Sequence, residues 1–163
     1  MIIGTKEIPL TRGKVALVDI DDYEWLIRWK WNAHKSKCGL WTAQRRSDQN
    51  KIVYMHRQIM GLCHGDKREV DHANHNSLDN RRCNLRVCSR NQNGRNTRKQ
   101  RRTTSSQYKG VGWYKPRKKW RSRISVNGKD VHLGLYKDEV LAAKAYDEAA
   151  IKYFGDFACG NFI

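Results

Sequence analysis

Apolar and polar residues alternate near the start of the chain, over Glu7–Leu10 and again over Gly13–Val18. The alternation predicts a hairpin that turns at Thr11-Arg12-Gly13. Asp21 and Asp22 precede Tyr23, Trp25, Leu26 and Ile27, an acidic cap ahead of helix-spaced apolar positions, which predicts a short helix. Trp29 and Trp31 open a further predicted strand, Leu40–Ala43 continues a hairpin, Ile52–His56 reads as another strand and His56–Leu62 as a helix. The aromatic rings of this region sit in apolar alternation and are read as core. His56, on an apolar strand, is read as a packed histidine, with contact to the active site as the alternative.

The alternation lapses over Glu69–Arg86, which is too polar and too ordered in its residue types to be simple core. Thr97–Gln107 is cationic and has no apolar period, so it predicts a linker. Three strand-like runs follow, Tyr108–Tyr114, Trp120–Val126 and Lys129–Tyr136. Asn127-Gly128 between the last two is a hairpin turn, because both residues tolerate positive φ. Asp138 then caps a helix over Glu139–Tyr153, with Gly155 beyond its end. Alanines on its apolar face let it lie close against a sheet. The expected class is α+β, with a small N-terminal sheet and a C-terminal three-stranded antiparallel sheet packed on one helix. The expected boundaries are 1–96 (with the N-terminal strands over 1–55), a linker over 97–107 and a second module over 108–163.

Composition sharpens this picture at two points. In 163 residues, 39% hydrophobic content supports modest cores, and six Trp with seven Tyr argue against disorder. The net charge of +17 is concentrated: Arg81–Lys129 holds 17 Lys and Arg and no acid, leaving 16 basic and 16 acidic residues elsewhere. Such a block suits a polyphosphate partner, since each neutralised phosphate releases condensed counterions. It forms no sustained amphipathic helix, which disfavours a membrane surface. No segment approaches a membrane span and no signal-peptide order opens the chain, so a soluble, cytoplasmic protein is expected. Five scattered cysteines fit reduced thiols, and Cys63-His64 with Cys83 and Cys88 lacks paired CxxC spacing, so no structural zinc is expected.

Phosphodiester hydrolysis needs a base for water and a divalent cation for the charge on phosphorus and leaving oxygen. An imidazole suits the first task, and carboxylate and amide oxygens suit hard Mg²⁺. Glu69–Arg86 offers all of these. It resembles the HNH endonucleases, particularly homing enzymes of phage introns and their free-standing relatives. The matching pieces are Tyr54-Met55-His56-Arg57, Val70-Asp71-His72, Leu78-Asp79-Asn80-Arg81-Arg82, Asn84-Leu85-Arg86 and Ser89-Arg90-Asn91-Gln92-Asn93. The resemblance implies two short strands and a helix around one metal ion over about 67–96. It makes Asp71 a metal ligand, His72 the general base, Asn84 the residue that orients the base and braces the loop, and Asn93 the second ligand. The implied ion is Mg²⁺, with Mn²⁺ as an alternative, and no small-molecule cofactor is expected. His75 and Asp79 are read as loop hydrogen-bonders. Arg81, Arg82 and Arg86 are candidates for clamping phosphate, and Arg98, Arg101 and Arg102 for following a DNA backbone.

From Tyr108 onward the chain resembles the DNA-binding domain of plant ethylene-response factors, of the APETALA type. The shared pieces are Tyr108-Lys109-Gly110-Val111, Trp120, Leu133-Gly134-Leu135-Tyr136, Ala142–Ala150 and Gly160-Asn161-Phe162. In that family the sheet enters the major groove and the helix supports it from behind. The implied contacts are Lys109, Trp113, Lys115, Arg117, Trp120, Arg121 and Arg123, with Trp120 equally readable as sheet core. Gly112, Arg123 and His132 depart from the family pattern, so no base preference transfers. Together the resemblances imply a site-directed endonuclease acting on double-stranded DNA. The alternative is a non-catalytic, sequence-specific DNA-binding regulator.

Overall fold

The computed structural model describes residues 4–99 and 105–162. The fold is α+β, and the chain divides into two compact units, Met1–Arg90 and Asn91–Ile163. No helix among the described residues is long and apolar enough to cross a membrane.

In the first unit, β1 (Thr5–Pro9) and β2 (Val15–Asp19) form the expected antiparallel hairpin. Its alternation buries Ile8, Ala16 and Val18. Helix α1 spans Ile20–Leu26 and starts earlier than the acidic pair suggests: Asp19 is the N-cap, and Asp21 and Asp22 lie inside the first turn. Asp22 is buried there and accepts from the Trp25 indole at 3.1 Å. A second sheet, in order β3-β4-β5, comprises Asn32–Lys35, Trp41–Arg46 and Ile52–Tyr54. Trp31 lies just before β3 rather than in it, 1% exposed, with its Nε1 donating to the Leu26 carbonyl at 2.9 Å. The strand expected to reach His56 ends at Tyr54, and helix α2 (Met55–Ile59) begins at once. Met55, Ile59 and Leu62 are buried at helical spacing, and this pull into the core outweighs the β propensity of the preceding residues. One core joins Ile8, Val18, Leu26, Trp31, Met55, Val70 and Leu85.

The polar segment forms an antiparallel pair, β6 (Glu69–His72) and β7 (Leu85–Cys88), with a long loop between them. Helix α3 (Arg90–Arg95) follows. All of it except Arg90 falls in the second unit.

The second unit holds a sheet ordered β10-β9-β8, from β8 (Val111–Tyr114), β9 (Lys119–Val126) and β10 (Lys129–Tyr136), and helix α4 (Glu139–Phe154). Asn127 and Gly128 turn the β9–β10 hairpin with φ of 52° and 78°. The Asp138 carboxylate caps α4, accepting from the amides of Val140 and Leu141 at 2.8 and 3.0 Å. Ala142, Ala143, Ala149 and Ala150 are buried against the sheet. The helix crosses so closely that at Gly110, with φ of 75°, a Cβ would overlap the Tyr146 ring and lie 2.6 Å from the Arg123 carbonyl oxygen. Asp147, buried on α4, accepts from the Asn161 and Phe162 amides at 2.7 and 2.8 Å, while Asn161 Oδ1 accepts from the Lys109 amide at 2.6 Å. The shared Gly160-Asn161-Phe162 piece thereby closes the module.

Candidate active site and DNA-facing sheet

Asp71 and His72 sit at the end of β6, opposite Arg86 and Leu85 of β7. Asp71 is buried, and its carboxylate is paired with the Arg86 guanidinium. The following loop is fastened to the first sheet through its backbone. The Leu17 amide donates to the Leu78 carbonyl at 2.9 Å, the Asn80 amide donates to the Leu17 carbonyl at 2.8 Å, and Ser77 Oγ donates to the Trp41 carbonyl.

Asn84 braces this loop from both sides. Its Oδ1 accepts from the Asn74 amide at 2.9 Å, its Nδ2 donates to the Asp79 carbonyl at 2.7 Å, and its own carbonyl accepts from the Ala73 amide at 2.9 Å. Asp79 behaves as a loop hydrogen-bonder. It is buried, accepts from Asn74 Nδ2 at 2.8 Å, and receives Arg81 through Nε and Nη2 at 2.8 and 2.7 Å. Those partners, the Arg81 hydrogen bond first, hold its carboxyl below the usual carboxylate range. His75 adopts φ of 62° in the turn.

One partner of the His72 ring is Asn80, a residue that sequence reasoning missed. His72 Nε2 and Asn80 Oδ1 are 3.4 Å apart, and Asn80 Nδ2 donates to the Leu78 carbonyl at 3.2 Å, which leaves Oδ1 as the acceptor. Nε2 then carries the hydrogen and Nδ1 the lone pair. Burial holds the His72 pKa below its ordinary value, against the opposing pull of the Asn80 hydrogen bond and of Asp71 and Asp79. The lowering favours the neutral imidazole that a base requires. Asn80 is fully buried, yet in a loop crowded with Asn no spacing rule separates it from Asn74, Asn76 or Asn84.

His56 also belongs here, packed as expected and meeting the active site as its alternative reading had it, but on a helix rather than a strand. It lies in the first turn of α2, stacks on Tyr54 at 5.6 Å, and meets the His72 ring edge-on at 5.1 Å. Burial, then the neighbouring His72 and Arg57, push its pKa down to about 3. The buried spacing of Met55, Ile59 and Leu62 is the signal that places His56 on a helix.

The basic candidates divide by partner. Arg82 Nε and Nη2 donate to the two Asp22 oxygens at 2.8 and 2.7 Å. Arg81, Arg82 and Arg86 thus each hold a buried carboxylate. Asn93 lies on α3 in the second unit. Arg98 is described without a regular element, whereas Arg101 and Arg102 lie outside the described residues.

In the second unit the pleat sorts the expected contacts. Trp120, Ser122 and Ile124 face α4, and cross-strand register puts Trp113 and Tyr136 on that same side. Trp113 and Trp120 form an edge-on pair at 5.1 Å, and Trp120 packs in the cluster of Val111, Ala142 and Ala143. The alternative of Trp120 as sheet core is the one observed, and Trp113 shares its face. The opposite face carries Lys119, Arg121 and Arg123 with Tyr114, while Lys115 and Arg117 lie on the β8–β9 turn. Arg123 pairs with exposed Asp130 at 2.9 Å, and the Arg121 guanidinium lies 5.5 Å from the Tyr114 ring centroid. Lys109 has a different task from the one expected. Its ammonium donates to the carbonyls of Arg95, Thr97 and Cys159 at 3.0, 2.7 and 3.2 Å, and burial lowers its pKa. An ammonium has only three protons, so this cradle uses the side chain internally.

Residues 53–95 match the HNH endonuclease family. An uncharacterized HNH endonuclease of Acanthamoeba polyphaga mimivirus is 29% identical over 152 residues, 93% of this chain and 77% of that relative. An APETALA2-like protein of Oryza sativa subsp. indica is 47% identical over 66 residues, 40% of this chain. An AP2-like ethylene-responsive transcription factor of Arabidopsis thaliana is 45% identical over 62 residues, 38% of this chain. The matched parts make up only 15% and 13% of those two plant proteins. No solved structure matches the chain. The chain thus carries an HNH endonuclease motif followed by an APETALA2-like domain.

Proposed function

We propose that this chain is a site-directed DNA endonuclease of the homing type, which hydrolyses phosphodiester bonds of double-stranded DNA with one divalent ion and His72 as general base. The observation that carries the reading is the buried Asp71 carboxylate beside the half-buried His72 at the end of β6, whose ring meets Asn80 and whose pKa burial lowers. His72 Nδ1 takes a proton from the attacking water. Asn80 fixes the ring, and Asn84 fixes the loop that carries it. Hydroxide attacks phosphorus in line, the bond from phosphorus to the 3′ oxygen breaks, and that oxygen takes a proton from solvent, leaving 5′-phosphate and 3′-hydroxyl ends.

Asp71 and Asn93 would hold the ion. Carboxylate and amide oxygens are hard donors that suit Mg²⁺ or Mn²⁺, and Asp71 would share or exchange its Arg86 pairing to take the ion. When bound, such an ion supplies positive charge to the scissile phosphate and the departing oxygen. Arg86, beside Asp71, is the favoured phosphate clamp. Arg81 and Arg82 act first as braces and meet phosphate through donors left over from Asp79 and Asp22. Arg98, Arg101 and Arg102 would follow the DNA backbone, and Lys115, Arg117, Arg121 and Arg123 would face the groove, since the major groove admits β structure.

The test is cleavage of plasmid and cognate duplex with Mg²⁺ or Mn²⁺. His72→Ala should lower the rate by about 10²–10⁴-fold while duplex binding persists. A wild-type chain that binds duplex and cuts none of it with either ion would sink the reading. That result would favour a regulator, which the word transcription factor in the Arabidopsis relative's name supports.

A further inference from the structure

Arg12, Lys14 and Lys35 converge on one indole. The Arg12 guanidinium carbon lies 5.7 Å from the Trp41 ring centroid, Lys14 Nζ 5.4 Å and Lys35 Nζ 5.6 Å, so no two of these cations are more than about 11 Å apart. Arg12 and Lys35 are exposed and Lys14 is half-buried. None of the three forms an ion pair among the described residues. They arrive from separate places: Arg12 and Lys14 from the turn between β1 and β2, Lys35 from the end of β3, directly opposite Trp41 of β4. The turn is fastened, since Thr11 Oγ1 accepts from the Ala33 amide of β3 at 3.0 Å. Arg12 holds a left-handed φ of 62°, a conformation uncommon for a residue with a side chain.

Three like charges lying within about a Debye length of one another repel. The indole face offsets part of this, at roughly 0.5–1 kcal/mol per exposed cation. A single cation would cover the ring, so gathering three without a carboxylate makes a site for several negative charges in a row. Each DNA strand presents one charge per about 3.4 Å of helix axis, so three cations within about 11 Å of one another can meet two to three successive phosphates.

We propose that Arg12, Lys14 and Lys35, gathered on Trp41, form a clamp for the phosphate backbone of duplex DNA, in a part of the chain that lies before the HNH-matching residues. The proposal rests on the reading of the chain as a DNA endonuclease and assigns its first unit a backbone grip of its own. Ser77 Oγ, on the loop between His72 and Asn84, donates to the Trp41 carbonyl. DNA held on the clamp is therefore held by a residue tied to the loop of the reaction centre.

The experiment measures duplex association across salt concentrations for the full chain carrying Arg12→Asn, Lys14→Gln and Lys35→Gln. At a slope of about 0.9 per phosphate, the slope of log K against log salt should fall by about 2 to 3. A control replaces the exposed Arg28, Lys30 and Lys37 with Gln, removing the same charge, and should lose far less slope. Equal loss in the control, or no loss in the clamp variant, overturns the proposal. Should the triple variant unfold, Lys35→Gln alone must lower the slope by about 1, and an unchanged slope overturns it equally. A wild-type chain that binds no duplex overturns the DNA reading and the clamp together. One that binds and cuts with the clamp variant's slope intact overturns the clamp alone.

Discussion

The first unit spends Arg81, Arg82 and Arg86 on the carboxylates of Asp79, Asp22 and Asp71, whereas the second leaves Lys119 and Arg121 on a sheet face with no ion pair among the described residues. The contrast follows from what each unit must hold still. A long polar loop between two four-residue strands has little apolar area with which to fix itself, so buried carboxylates, guanidiniums and amides do that work. The sheet and α4 of the second unit already bury alanines, Tyr146 and Ile124 against each other, so their cations are available to a partner. Basic charge therefore has two meanings in one chain: around the β6–β7 loop it is spent on holding that loop in place, and on the β8–β10 sheet it faces outward.

The largest test of this difference is steric. Gly110→Ala puts a Cβ into the Tyr146 ring at a positive φ, and it should destabilise the second unit by about 3–5 kcal/mol, as overpacking and backbone strain add. Hydrogen exchange over β8–β10 and α4 reads the loss directly. Normal protection there would mean that the close helix–sheet approach is not what stabilises the unit.

Next comes Asp22→Ala, which strips the buried partner of Arg82 and Trp25 Nε1. Because Arg82 is half-exposed and can rehydrate, the expected cost is about 2 kcal/mol rather than that of a fully buried broken pair. Urea unfolding followed by Trp fluorescence measures it. A change under 0.5 kcal/mol would show that the first unit does not depend on its paired charges.

Which of these features the sequence exposes depends on whether local chemistry decides them. Asn127-Gly128 and Asp138 act through their own backbone, so the hairpin and the α4 cap are legible without a fold. The Glu139–Tyr153 helix and the Lys129–Tyr136 strand follow from spacing. Asp22 reads as a helix cap because nothing local shows that Arg82, 60 residues away in sequence, will claim it. Trp113 and Trp120 look like groove-facing aromatics until the register fixes the face, and Lys109 looks like a free cation until three carbonyls close on it. His56 is misjudged by one element boundary, since ending the strand at Tyr54 turns its ring toward His72. Long-range partner choice, rather than propensity, is what local reading lacks.

Arg121→Ala makes the complementary cut in the second unit. Its guanidinium has an aromatic neighbour and no carboxylate among the described residues, so unfolding free energy should change by less than about 0.5 kcal/mol. Duplex binding should weaken, with a salt slope about 1 lower for a phosphate contact, or with about 1–3 kcal/mol of lost discrimination for a base contact. Lost stability with unaltered binding would erase the distinction between the two units.

The smallest effect is the most discriminating, because it has the opposite sign. Among the described residues, Arg123 is the cation on the outward sheet face that pairs with an acid, and both it and Asp130 are more than half exposed, at 55% and 56%. Exposed pairs of this kind contribute about 0–1 kcal/mol, so Asp130→Ala should barely move the melting temperature. It also removes a negative charge from the face proposed to meet phosphate and releases the guanidinium. Duplex affinity should therefore rise, by about two- to fivefold for a gain of roughly 0.5–1 kcal/mol, with the increase largest at low salt, where screening is weakest. Fluorescence anisotropy at two salt concentrations is sufficient to see it. A loss of affinity would mean that Asp130 positions Arg123 for the groove instead of competing with it. No change at either salt would remove Arg123 from the DNA-facing set and leave Lys119 and Arg121 to define that face.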